Sequence, residues 1–170
     1  MIKAIGERRS VRKFKDTPVT REQIEALLAA AMMAPSACNS RPWRFVAVTS
    51  REVLDKLGEC HPHGKMLFKA QAAIVICALA DEQAKNEVAK GFYPQDCGAA
   101  TQNILLQAQE MGLGTCWCGV YPKEHIMPLV SEVLGLPADE IPFNIIAIGE
   151  AEVVPSARGF YDGEKVSWVD

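Results

Sequence analysis

The 170-residue sequence has no long apolar run, no marked excess of charge and no low-complexity tract. Its longest apolar stretch, Ala72 to Ala80, falls far short of the roughly 20 residues a membrane helix needs. Met1 to Ser10 holds no apolar block of the signal-peptide kind. Both absences point to a cytoplasmic protein with no membrane partner. With 18 basic against 21 acidic residues the net charge is −3, which gives no general attraction to nucleic acid, so any basic site must be local. No Ser or Cys nucleophile motif accompanies the few histidines, and His125 reads as a surface residue.

The six cysteines are even in number, but a chain this long does not need disulfide staples. They lie in apolar stretches and read as reduced and mostly buried. Cys60-His61-Pro62-His63 resembles a metal half-site without a second ligand pair nearby, so a surface loop is expected and no metal. Cys116 and Cys118 share one strand face and cannot form a Cys-x-x-Cys turn. Gly112-Leu113-Gly114 follows a helix and lacks a third glycine, so a dinucleotide fold is not expected.

The apolar fraction of 49% and charged fraction of 23% are those of an ordinary globular protein, and the length fits one domain spanning 1–170. Thr20 and Gln23 make a capping box for a helix from Arg21 to Ala34, with Val19 as a staple on Ile24 and Pro35 as the stop. Phe45 to Val48 is a short strand, and a small helix follows, capped by Thr49 and Glu52. Ala73 to Leu79 is apolar on both faces and belongs in the middle of a covered sheet. Asp96 caps a buried helix that runs to Met111 and stops at Gly112. Thr115–Val120 and Phe143–Ile148 are further strands, separated by a helical stretch around Pro128 that Gly135 ends. The tail from Glu150 carries scattered Val153, Val154, Phe160, Val166 and Trp168, a pattern suited to wrapping over a partner subunit.

Two clusters carry chemistry. Arg8-Arg9-Ser10-Val11-Arg12-Lys13 packs four cations and a hydroxyl into six positions, a set suited to phosphate; a solvated basic turn is the plainer alternative. Pro35-Ser36-Ala37-Cys38-Asn39-Ser40-Arg41-Pro42-Trp43 is a loop held between two prolines, with polar groups at close spacing beside a large apolar face. It suits the edge of a planar polar ring, or else serves as a structural turn with Trp43 in the core.

The two clusters together resemble the paired signature of the FMN-dependent nitroreductase family. Asp96-Cys97-Gly98-Ala99-Ala100-Thr101-Gln102-Asn103, Gly112-Leu113-Gly114-Thr115-Cys116-Trp117-Cys118-Gly119 and Pro155-Ser156-Ala157-Arg158 extend the resemblance over nearly the whole chain in the family's order. The resemblance implies an α+β fold, a three-layer α/β/α sandwich with a mixed, mostly antiparallel sheet and a C-terminal tail exchanged with the partner of a homodimer. It implies that Arg8, Arg9, Ser10 and Arg12 bind the phosphate, ribityl chain and pyrimidine edge of FMN, with Arg158 completing the anion pocket. Pro35, Ser36, Ala37, Asn39 and Arg41 would reach the isoalloxazine ring from the other subunit, and the backbone of Cys118 and Gly119 would face flavin N5. The implied activity is ping-pong: NADH or NADPH reduces FMN, which then reduces a nitroaromatic, quinone or similar electrophile. A flavin-binding module without turnover is the rival reading.

Two departures stand out. Arg41 occupies a position where the family commonly has glutamine. Asp81 to Gln95 is too short for the helical roof of larger members, so a comparatively open pocket is expected.

Overall fold

The computed structural model describes residues 1–170 apart from Ala157, Arg158, Phe160 and Asp170. Six helices and four strands follow in the order α1 (Lys3–Glu7), α2 (Arg21–Met32), β1 (Trp43–Val48), α3 (Arg51–Cys60), β2 (Ala72–Ala78), α4 (Ala80–Ala84), α5 (Tyr93–Glu110), β3 (Gly114–Gly119), α6 (Met127–Leu134) and β4 (Ile141–Gly149). No helix among the described residues is long and apolar enough to cross a membrane.

The sheet is antiparallel in the order β1-β2-β4-β3. β2 is buried along its whole length, as its two-faced apolar pattern requires. Its residues alternate between two cores. Val75 and Cys77, with Ile145 and Ala147 of β4, pack among Leu54 and Leu57 of α3 and Val130 of α6. Ile74 and Ile76, with Ile146 and Ile148, pack among Leu27 of α2 and Ile104 of α5. The architecture is the expected three-layer α/β/α sandwich.

Local chemistry accounts for the helix ends. In α2 the capping box is complete: Gln23 N–H donates to Thr20 Oγ1 at 3.2 Å and Thr20 N–H to Gln23 Oε1 at 2.8 Å. The helix stops at Met32, two residues before the expected Ala34. Pro35 bars its preceding residue from helical conformation and its ring would strike the carbonyl four residues back. Ser50, not Thr49, is the N-cap of α3, and its side chain makes no cap bond. α5 begins at Tyr93 with Pro94 in its first turn, so Asp96 lies inside the helix rather than at its cap. Gly135 ends α6 in the left-handed region, at φ 60°.

The N-terminal segment supplies the mixed character of the sheet. Ser10 pairs in parallel with Thr115 on the outer edge of β3, Val11 N–H donates to Thr115 O at 2.8 Å, and Phe14 bridges to Ala151. Two glycines permit this close approach: a Cβ on Gly114 would stand 2.9 Å from the Val11 side chain, and one on Gly149 would stand 2.9 Å from the Phe14 ring. The basic cluster is thereby laid along a strand edge.

Candidate functional site

Arg8, Arg9 and Ser10 are half-buried where this segment meets β3, and Arg12 is exposed. Arg9 Nε donates to Ser156 O at 3.2 Å, drawing the start of the tail onto the cluster. Arg12 Nη1 donates to Ser10 O at 3.3 Å. Among the described residues no carboxylate pairs with Arg8, Arg9 or Arg12. Three guanidinium groups therefore gather with their charge uncompensated. Arg158 lies outside the described residues.

β3 is an edge strand, and its outward-facing residues follow from the hydrogen bonds. The carbonyls of Thr115 and Gly119 both accept bonds from outside the sheet, from Val11 N–H and from the His61 ring respectively. Residues at 115, 117 and 119 thus turn their backbone groups off the free edge, while 116 and 118 face β4. Beside this edge lies a cavity of about 540 Å³, lined by Arg12, Lys123, Trp117, Cys118, Gly119 and all three histidines, with no acidic residue among the described ones. In a chain of net charge −3, this is a place for an electron-rich or anionic ligand.

The opposite side chains of β3 point inward. Cys116 and Cys118 are both buried on the α3/α6 side of the sheet. Cys118, aided by the nearby Arg12 and Arg8 charges, lowers the Cys116 thiol to about 7 against burial, while the Cys118 thiol itself donates to Met66 Sδ at 3.5 Å. Cys116 and burial push Cys118 upward.

The loop between α2 and β1 is held in an uncommon conformation. Cys38, Asn39 and Arg41 all have positive φ, at 50°, 52° and 48°, a region that costs non-glycine residues about 1 kcal/mol or more each. Hydrogen bonds enforce it. Arg41 N–H donates to Ser36 Oγ at 2.9 Å, Arg41 Nε to Asn39 Oδ1 at 3.0 Å, and Ala37 N–H to Asp96 Oδ1 at 3.1 Å. Gln83 Nε2 reaches both Ser40 Oγ, at 3.1 Å, and Asp96 Oδ2, at 2.8 Å. Trp43 is buried at the head of β1, so the loop is both structurally anchored and polar at its surface.

One chain brings Arg12 to the cavity beside Cys118 and Gly119, with Ser10 paired to Thr115 of the same strand and Arg8 and Arg9 just before it in the chain. It does not bring Pro35, Ser36, Ala37, Asn39 and Arg41 to them. That loop enters the sheet at Trp43 on β1, the opposite edge, three strand spacings or about 14 Å away. The register also separates them lengthwise: Trp43 is level with Ile141, whereas Ser10 is level with Ile148, a run of about 23 Å. The two clusters occupy diagonal corners of the sheet.

Three further residues enter the site unannounced by the sequence reading. His61, expected on a surface loop, is buried at 7% exposure and meets Gly119 O at 2.9 Å. Asp96 and Gln83 are buried and hold the loop. Only Asp96 carried a signal, its polar position at the head of an otherwise apolar helix; the partners of His61 and Gln83 lie 58 and 43 residues away.

The sequence profile described as "Nitroreductase family" matches residues 5–61 and 59–150. A protein of Methanothermobacter thermautotrophicus, provisionally named NADH dehydrogenase/NAD(P)H nitroreductase, is 40% identical over 166 residues, 98% of this chain and 85% of its own. The crystal structure of a similarly named Parabacteroides distasonis protein superposes with a TM-score of 0.92 at 36% identity, covering 98% of this chain and 96% of that one. An FMN-dependent nitroreductase of Clostridium difficile superposes with a TM-score of 0.89 at 34% identity, over 100% of this chain and 99% of that one. The chain belongs to the nitroreductase family. It is an enzyme, an NAD(P)H-dependent flavin oxidoreductase of the nitroreductase type.

Proposed function

We propose that the chain, as a single domain, forms a homodimer that holds FMN between its subunits and transfers reducing equivalents from NADH or NADPH to nitroaromatics, quinones or related small electrophiles. The observation that carries this reading is the diagonal separation of the two polar clusters. Neither cluster alone offers both an anion pocket and a ring cradle, and a second copy placed with its 35–41 loop against the Cys118–Gly119 edge supplies what the first lacks.

The residues present fit FMN. Three guanidinium groups without carboxylate partners among the described residues match a phosphate dianion, and a cavity lined by cations and no described acidic residue matches a ring that gains negative charge on reduction. A Cβ on Gly119 would meet no atom within 4 Å, so packing within the chain does not call for glycine there, while close approach of a planar ring does. When bound, FMN supplies the redox chemistry, taking hydride equivalents from the nicotinamide and passing electrons to the acceptor. Arg8 and Arg9 bind the phosphate with Arg158, and Ser10 and Arg12 bind the ribityl chain and pyrimidine edge. Pro35, Ser36, Ala37, Asn39 and Arg41 bound the ring from the second subunit, and the exposed Tyr161, Val166 and Trp168 pack over that subunit as the tail is exchanged. No side chain acts as acid or base; the chain positions the ring and tunes its charge.

The test is a pair of anaerobic half-reactions. Protein loaded with FMN is expected to lose its visible flavin absorbance on addition of NADH or NADPH and regain it when a quinone or nitroaromatic follows. Bound flavin that neither nicotinamide bleaches would contradict the reading.

A further inference from the structure

His61 follows directly on the C-terminus of α3 with extended backbone (φ −113°, ψ 120°), which turns its ring inward, toward the end of β3. Its two ring nitrogens have assignable roles. His63 N–H reaches Nδ1 at 3.1 Å, and a backbone N–H can only donate, so Nδ1 carries no proton. Nε2 lies 2.9 Å from Gly119 O, which can only accept, so Nε2 carries the proton and donates. The Nε2–H tautomer is thus set by the His-Pro-His turn itself.

The peptide that His61 meets is held from both sides. Its carbonyl, on Gly119, accepts from His61, while its N–H, on Val120, donates across to Phe143 O of β4 at 3.1 Å. This matters because Gly119 is the last residue of an edge strand, has no side chain, and would have no neighbour within 4 Å of a Cβ. No side chain holds this residue in place, so its conformation rests on its sheet pairing and its hydrogen bonds. Past Gly119 the regular register ends, and Val120 and Tyr121 N–H both donate to Phe143 O; β4 thus holds the N–H end of this peptide and the imidazole holds its carbonyl end.

We infer that His61 is a positioning residue: through Nε2–H it fixes the Gly119–Val120 peptide, and with it the Gly119 backbone on the free edge of β3, next to Cys118, where the flavin ring is met. The inference rests on the proposed flavin-facing role of that edge. His63 contributes its backbone N–H, and the peptide's orientation is inherited from a turn 58 residues away in sequence.

The test compares His61→Ala with His61→Gln, whose side-chain amide can restore a donor to the Gly119 carbonyl. In FMN-free protein, amide hydrogen exchange at Val120, whose N–H donates to Phe143 O, is expected to accelerate in His61→Ala and to return toward the wild-type rate in His61→Gln. In FMN-loaded protein, His61→Ala is expected to shift the flavin absorption maxima and midpoint potential and to weaken FMN binding roughly three- to tenfold, the scale of one neutral hydrogen bond. His61→Gln is expected to recover most of each. Wild-type exchange, spectrum and potential in His61→Ala would overturn the inference, as would a fall in melting temperature with those readouts unmoved, or a His61→Gln variant of wild-type stability that behaves like His61→Ala. If wild-type protein takes up no FMN, the proposed function fails, and the exchange comparison still decides whether the imidazole holds the peptide.

Discussion

Ala37, in the loop before β1, donates its backbone N–H to Asp96 of α5 at 3.1 Å, and this bond ties a strained loop to the most buried helix of the fold. The second Asp96 oxygen accepts from Gln83, so one carboxylate organises two segments. Asp96→Ala deprives the half-buried Ala37 N–H and the buried Gln83 amide of a partner, a penalty of about 1–3 kcal/mol. The expected result is a melting temperature lower by roughly 3–10 °C, with FMN affinity reduced in parallel, as thermal unfolding and fluorescence titration would show. Unchanged FMN binding in a folded Asp96→Ala protein would mean that the loop is not part of the site.

The cation cluster gives a second prediction. Each charge-assisted hydrogen bond to phosphate contributes about 1.5–3 kcal/mol, so Arg8→Ala is expected to weaken FMN binding by roughly tenfold to 150-fold. Raising the salt concentration should weaken wild-type binding more than that of the variant, because the variant has already lost part of its charge attraction. Equal salt dependence in the two proteins would argue against a phosphate contact at Arg8.

Arg41 concerns the potential of the flavin. Its side chain is exposed and folds back onto Asn39 through a 3.0 Å bond, so in the free chain it is held at the loop surface. Placed beside the partner's ring, a fixed cation favours negative charge on reduced flavin. Arg41→Gln is expected to lower the midpoint potential of bound FMN, measured by anaerobic dye equilibration. An unchanged value would place the guanidinium in solvent.

The two strand cysteines give a pH prediction. Cys116 is lowered to about 7, below the ordinary thiol value of 9.0, first by the neighbouring Cys118 and then by Arg12 and Arg8. A depressed folded value means that between about pH 7 and pH 9 the unfolded chain binds more protons at this thiol than the folded chain does. Its stabilising contribution therefore grows with rising pH over that window and is lost as pH falls through about 7. Cys118→Ala removes the principal cause and is expected to move the Cys116 titration upward, followed by the ultraviolet absorbance of the thiolate in FMN-free protein. A titration unmoved by Cys118→Ala would remove Cys118 as the cause.

Much of the fold was legible because it rests on local rules. The Thr20–Gln23 box, the stop before Pro35 and the two-faced apolar run of β2 each follow from neighbouring residues. Errors of a few residues arose where a local signal had a competitor: Thr49 lost the cap position to Ser50, and Pro94 started α5 ahead of Asp96. Asp96 read as a cap because its type suits one, yet its oxygens are used 59 and 13 residues away. His61 was misplaced for the same reason. A His-Pro-His turn is polar when read alone, and only the folded chain brings Gly119 within reach of its ring. The arginine cluster and the 35–41 loop stood out in the sequence, but their separation at diagonal corners of the sheet did not, since strand order is not written in any one segment.

The most direct measurement of the central claim, a flavin site shared between two copies, mixes two impaired proteins. One carries Arg8→Ala with Arg9→Ala, and the other carries Ser36→Ala with Asn39→Ala; each alone is expected to hold little FMN. A hybrid dimer reunites the intact arginines of one subunit with the intact loop of the other at one of its two sites. Co-expression should therefore restore FMN binding and nicotinamide-driven reduction to about half the wild-type level per hybrid dimer. Hybrid dimers that form but regain neither would contradict the shared site.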